Sequence, residues 1–230
     1  ASGAGWPRSA APAPPGLPEA PLSATARLGR WAGPYGVLVR STPKAFPRLR
    51  GPESSRLEAA LSVSEQTNTS VVFGERLILK ISRRLEEGMN PELEVGRFLT
   101  EKTNFGQIAP IAGSLEFRRE RAEPVTLAIL QGYVPNQGDA WQYTLTTLAR
   151  FLAGSEVATT DAPTMPRRGL VQAIAHDLPE VATRTIGPYL ESARLLGQRT
   201  AELHAALASD PDELAFAPVP LTTQYHPPIP

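Results

Sequence analysis

Between residues 65 and 94 short apolar runs alternate with polar breaks. A polar stretch, Glu65 to Ser70, leads into Val71-Val72-Phe73. Gly74-Glu75 interrupts it, and after Arg76 the run Leu77-Ile78-Leu79 ends on Lys80. Two short β-type runs joined by a break with glycine first predict a hairpin closed by a type II′ turn. Glu92 to Glu101 predicts a helix, with Leu93, Phe98 and Leu99 on its apolar face and Asn90-Pro91 at its start. Ser114 to Arg118 alternates apolar and polar residues, and Val125 to Leu130 is nearly all apolar, as a central strand would be. The charged stretch Arg119 to Glu123 is their turn.

Farther along, the period lengthens. Leu145, Leu148, Ala149 and Leu152 follow helical spacing, with Gly154 as a C-terminal cap. Residues 155 to 168 read as loop because Pro163 and Pro166 discourage regular structure. Ile186, Leu190, Ala193, Leu196, Thr200, Leu203 and Leu207 mark one face of a single long helix, from about Thr185 to Ala208, expected to leave that face exposed. Upstream, Gly36-Val37-Leu38-Val39 and Ala45-Phe46 read as short strands among Arg40, Lys44, Arg48 and Arg50, a basic cluster expected on a solvated face.

The order is α+β. Residues 1–24 form a Pro/Ala-rich disordered tail, 25–61 a cap region and 62–134 a kinase-like small lobe on an antiparallel sheet. Residues 135–215 are the helical start of an incomplete larger lobe, and 216–230 an unstructured tail.

Composition narrows the functional classes. Lysines plus arginines equal aspartates plus glutamates at 23 each, interspersed along the chain, which argues against a nucleic-acid or anionic-membrane binder. No cysteine occurs, so disulfides, thiolate metal sites and a cysteine nucleophile are excluded. No apolar run approaches the ~18 residues of a membrane span, and a cytoplasmic location is the expectation. The 24 prolines are about twice the usual share. The amino end, without an initiator methionine, and the HPPIP ending lead us to expect a piece of a longer protein.

The candidate chemistry centres on Lys80. A lysine at the end of a strand, with acidic residues on the next helix, suits the holding of nucleotide phosphates, where positioning and charge neutralisation do most of the work. Glu94 is the expected helix partner, and Thr67, Asn68, Thr69 and Ser70 offer hydroxyls and backbone donors over a phosphate. Spacing alone leaves a second reading open, in which Lys80 and Glu94 are both solvated. His176, His204 and His226 stand in no metal-ligand spacing, and His204 is expected to border a helix core. Trp141 and Tyr143 read either as packing anchors or as the wall of a sugar or nucleotide site. No nucleophile elbow, zinc signature or Walker loop is present.

The strings EQTNTSVVFGERLILKISRRLEEGMNPELEVGRFLTE, LAILQGYVPNQGDAWQYTL and GPYLESARLLGQRTAELHAALASDPDELAFAP resemble the amino-terminal part of bacterial maltokinases, over roughly residues 30 to 220. These enzymes also occur fused to trehalose synthase. The resemblance implies an aminoglycoside phosphotransferase-like kinase fold with an amino-terminal cap. It also implies transfer of the ATP γ-phosphate to maltose, giving maltose 1-phosphate for α-glucan synthesis. On it, Lys80 is the nucleotide-phosphate lysine, Glu94 its partner and Thr67 to Ser70 the phosphate cover. Gln131, Gly132, Tyr133 and Val134 are the hinge whose backbone meets the adenine.

The family's His-Gly-Asp-type catalytic loop and Asp-Phe-Glu-type motif do not occur here. The general base and the Mg2+ ligands expected for the full-length enzyme therefore belong to a missing carboxy-terminal lobe, and this chain alone is expected to be inactive. The alternative is a non-catalytic module that docks a trehalose synthase partner.

Overall fold

The computed structural model describes residues 11–12, 29–62, 68–154 and 180–220. Most of the expected amino-terminal tail, the loop 155–168, Thr67, His176, His226 and the chain after residue 220 lie outside the described residues. The chain divides into two compact units. Of the described residues, one unit holds 11–12, 29–62, 68–135 and 202–220, the other 136–154 and 180–201.

The first unit is built on an eight-stranded antiparallel sheet in the order β1-β4-β5-β6-β8-β7-β3-β2. Its strands are β1 (Ala11–Pro12), β2 (Arg30–Gly33), β3 (Gly36–Ser41), β4 (Ala59–Ser62), β5 (Asn68–Phe73), β6 (Leu77–Ser82), β7 (Ile111–Arg118) and β8 (Val125–Gly132). A short helix α1 (Phe46–Arg50) follows β3, and α2 (Pro91–Lys102) follows β6. The fold is thus α+β with an antiparallel sheet, as the pattern predicts. β8 pairs with both β6 and β7, as expected for a nearly all-apolar run.

Because side chains alternate along a strand, the sheet offers two distinct faces. On one, Val71, Phe73, Leu77 and Ala112 form a core cluster with Phe46 and Leu49 of α1 and with Leu79 and Leu130. On the other, Ile111 and Ile129 pack against Leu93 of α2. Leu93, Phe98 and Leu99 are the buried residues of α2, the three that helical spacing selects. Asn90 caps this helix, its side chain accepting from the Leu93 amide at 3.2 Å, and Pro91 opens it.

Four local expectations change. The β5–β6 connection spans Gly74-Glu75-Arg76, one residue longer than a two-residue hairpin loop, because Phe73 pairs directly with Leu77. Ala45-Phe46 is no strand: with Pro47 at its start, the segment turns into α1. Ala11 and Pro12, inside the stretch expected to be disordered, pair with Leu61 and Ala60 as a short edge strand. Phe216, assigned to an unstructured tail, stacks on Phe98 with ring centroids 4.3 Å apart.

In the second unit α3 (Ala140–Gly154) carries Tyr143, whose ring lies 5.8 Å from that of Tyr189. Tyr143 is therefore an aromatic packing partner, while Trp141 is largely exposed. The single long helix expected near the end is two, α4 (Glu180–Ile186) and α5 (Tyr189–Leu207). Gly187 adopts φ +63°, and its amide donates to Thr183 O at 2.9 Å. That left-handed cap closes α4, and Pro188 cannot extend the hydrogen-bond ladder. None of the α5 residues is buried, and Leu196 is 64 % exposed. His204 is exposed on this helix instead of bordering a core.

Candidate functional site

Lys80 sits on β6 directly opposite Ser70 of β5 on one side and Ile129 of β8 on the other. It therefore shares a sheet face with Ile129, and Ile129 packs on Leu93 of α2. The packing that seats Leu93 also brings its neighbour Glu92 over the lysine. Lys80 Nζ donates to Glu92 Oε1 at 2.8 Å. Gln131, two residues beyond Ile129 on the same face of β8, donates to the same oxygen through Nε2 at 3.1 Å. A strand lysine, a helix carboxylate and a buried amide from the neighbouring strand thus form one hydrogen-bonded group.

The carboxylate in this group is Glu92 and not Glu94. At ~100° per residue, the two positions differ by about 200° around the helix, so only one can face the sheet. Leu93 and Ile129 set the rotation in favour of Glu92. Glu94 instead lines a separate cavity of about 220 Å³ with Arg97, Phe98, Glu101 and Phe216.

Further contacts fix α2 against the sheet. Gly96 faces Ile111 so closely that a Cβ there would lie 2.7 Å from Ile111 Cδ1. Thr100 Oγ1 accepts from the Ile111 amide at 2.9 Å and donates to Gly96 O at 2.7 Å. Arg97 donates to Ser114 Oγ at 2.7 Å and to Glu116 Oε1 at 3.2 Å. Glu116 is only 3 % exposed, and its other oxygen accepts from Arg118 at 2.7 and 3.2 Å. A carboxylate so deeply placed is tolerable because two guanidinium groups supply the hydrogen bonds that water would otherwise give.

The remaining expected site residues are placed differently. Asn68, Thr69 and Ser70 are not loop but the first half of β5, paired with Ser82, Ile81 and Lys80. Ser70 is fully buried, which removes it from any phosphate cover. Gln131 and Gly132 belong to β8. The Gly132 amide donates to Pro110 O and the Tyr133 amide to Arg76 O, both at 2.8 Å. These two amides are committed within the protein and do not offer donors to a base. Val134 follows the strand and is 51 % exposed. Glu92 and the Gln131 side chain are the members of this hydrogen-bonded group that sequence reasoning missed. The Pro91-Glu92-Leu93-Glu94 string signalled a carboxylate in the first turn but not which of the two.

Among the described residues no three carboxylate or imidazole side chains converge as a metal site.

No family model matches the chain. It is similar in structure to a glucosamine kinase in its crystal form B, with 21 % identity and a TM-score of 0.46, over 83 % of this chain and 37 % of that one. It is also similar to a glucosamine kinase in complex with glucosamine, ADP and inorganic phosphate, with 22 % identity and a TM-score of 0.47, over 83 % of this chain and 35 % of that one. The chain spans little more than a third of the length of these two proteins.

Proposed function

We propose that this chain is the nucleotide-binding part of a sugar kinase of maltokinase type, which transfers the ATP γ-phosphoryl group to maltose. The observation that carries the reading is the Lys80–Glu92 pair at 2.8 Å, formed between a strand of an antiparallel sheet and the first turn of the next helix. A lysine pinned in this way holds its ammonium at a constant position, which is what neutralising nucleotide phosphate oxygens requires. Gln131 strengthens the arrangement by holding the carboxylate that holds the lysine.

In the reaction, the bond from the γ-phosphorus to the β,γ-bridging oxygen breaks, and a bond to the anomeric hydroxyl oxygen of the sugar forms. ADP leaves, and the hydroxyl proton passes to a base. Of these tasks, phosphate positioning falls to Lys80, Glu92 and Gln131. The choice of maltose rests on the three sequence strings that resemble maltokinases.

Titration of a fluorescent ATP analogue against wild type and Lys80→Met tests the nucleotide part. We expect saturable binding, weakened at least tenfold in the variant. Equal binding by both proteins, or none at millimolar nucleotide, defeats the reading. Sugar choice is tested on the longest natural polypeptide containing this sequence, with maltose, glucosamine and glucose compared as phosphate acceptors. A preference for either monosaccharide would exclude the maltokinase assignment while leaving nucleotide binding intact.

A further inference from the structure

The sheet braces α2 along one line. With Leu93 as the sheet-facing reference, Gly96, Arg97 and Thr100 all fall within ~60° of it around the helix. These residues make the contacts to β7: Gly96 against Ile111, Thr100 bonded to the Ile111 amide, and Arg97 to Ser114 and Glu116. Contacts so aligned act as a pivot and oppose rotation about it only weakly. Glu92 lies ~100° to one side of this line and Phe98 ~140° to the other. Phe98 is no part of the Leu93–Ile111–Ile129 cluster, yet it is only 5 % exposed.

Phe216 supplies the cover. Beyond α5, successive turns shape the chain from Asp210 to Ala217. The Glu213 amide donates to Asp210 O at 3.4 Å, the Phe216 amide to Glu213 O at 2.9 Å and the Ala217 amide to Glu213 O at 2.8 Å. These turns present the Phe216 ring to Phe98, with the centroids 4.3 Å apart. Leu214 is 91 % exposed and takes no part in the grip, which falls to Phe216. Next to the stack is the cavity of about 220 Å³ that Glu94 lines, with Glu213 and Ala215 on the segment's side. A ring stacked beside open space can leave without the sheet unfolding.

We propose that Asp210–Ala217 is a strap that sets how firmly Lys80 is held, with Phe98 and Phe216 as positioning residues acting through Glu92. While the rings are stacked, the flank of α2 away from Glu92 is blocked. The helix then cannot roll about its pivot, and Glu92 stays on Lys80 and Gln131. When Phe216 leaves, the helix rolls toward the freed flank and the carboxylate lifts off the ammonium. The consequence for nucleotide affinity rests on the nucleotide reading above; the effect on the Lys80–Glu92 pair does not.

Limited acetylation of the full chain with acetic anhydride, read by mass spectrometry, reports the pair without nucleotide, because a lysine held by a carboxylate reacts more slowly than a loose one. Lys80 should be acetylated about threefold faster in Phe216→Ala than in wild type, the order of effect that a partly exposed ion pair provides, and comparably fast in Glu92→Gln. The rate at Lys44, exposed near α1, should not change, which separates local release from unfolding. Phe216→Tyr keeps the stacked ring and should restore the wild-type rate. If Phe216→Ala does not fold, Phe216→Leu takes its place with the same expectation. In the fluorescent nucleotide titration, Phe216→Ala combined with Glu92→Gln should bind no more weakly than Glu92→Gln alone, since both act on one pair. An unchanged Lys80 rate in Phe216→Ala overturns the proposal, as does an additive loss of nucleotide affinity in the double variant. Faster Lys80 acetylation together with no nucleotide binding by wild type upholds the strap and defeats the nucleotide reading alone.

Discussion

Glu92 Oε1 accepts from Lys80 Nζ at 2.8 Å and from Gln131 Nε2 at 3.1 Å, so one oxygen on α2 ties together two strands of the sheet beneath it. The lysine side chain is 24 % exposed and the glutamate side chain 42 %, which places the pair at a water-facing edge rather than in the core. At that exposure the pair contributes at most about 1 kcal/mol to stability. Its value lies in where it keeps the ammonium.

Glu92→Gln and Glu94→Gln should therefore behave differently. The first removes the charge that holds Lys80 and should weaken nucleotide binding about tenfold, equal to ~1.4 kcal/mol. The second alters a residue turned away from Lys80 and should change affinity less than twofold. Fluorescent nucleotide titration of both variants checks this, and a larger effect from Glu94→Gln would restore the pairing that spacing predicts.

Gly96→Ala should destabilise the sheet–helix contact. The new methyl would stand 2.7 Å from Cδ1 and 2.8 Å from Cγ1 of Ile111, a residue with no exposed surface. Overpacking of this kind costs roughly 1–3 kcal/mol, against which alanine returns at most about 1 kcal/mol of helix propensity. Chemical denaturation should show a net loss, and nucleotide affinity should fall with it as α2 shifts Glu92 away from Lys80. An unchanged midpoint would mean that Ile111 yields without cost.

Glu116→Ala removes the acceptor shared by Arg97 and Arg118. Hydrogen bonds to charged groups contribute about 1.5–3 kcal/mol each, and Arg97 is left three-quarters buried beside Ser114. We expect a loss of about 2–3 kcal/mol, with Glu116→Gln recovering part of it. Equilibrium urea unfolding gives the values, and a variant as stable as wild type would show that water replaces the carboxylate.

Phe216→Ala uncovers Phe98. The rings stack at 4.3 Å with 29° between their planes, and Phe98 is otherwise a buried residue of α2. Loss of the half-buried ring should cost about 1–2 kcal/mol and make the segment from Asp210 to Ala217 more sensitive to protease. Limited proteolysis followed by mass spectrometry locates the new cleavages, and an unaltered pattern would show that this segment is anchored elsewhere.

The elements that were legible share one property: their signal is local. Asn90-Pro91 followed by Leu93, Phe98 and Leu99 specifies a capped amphipathic helix whatever surrounds it, and α2 forms there. Alternation in Ser114 to Arg118 and the apolar run from Val125 likewise announce β7 and β8. Where a local rule was outweighed, the competitor is identifiable. Gly187-Pro188 breaks a helix whose apolar period runs straight through it, because a left-handed cap and a missing amide act more strongly than periodicity. Asn68 to Ser70 has the composition of a loop, yet the ladder with β6 carries it into the sheet.

Residue order alone established the antiparallel α+β plan, a strand carrying Lys80 and the presence of carboxylates in the first turn of the following helix; that strand does not end on Lys80, as the pattern predicts, but runs on to Ser82. Three-dimensional packing decided which carboxylate serves, since Glu92 and Glu94 are chemically alike and differ only in the direction each faces once Leu93 is seated on Ile129. It also covered Nε and Nη1 of the half-buried Arg40 while Lys44 and Arg48 stayed exposed. Both outcomes depend on a helix rotation or a cross-strand register, quantities set by contacts between residues far apart in the chain, which a local pattern does not encode.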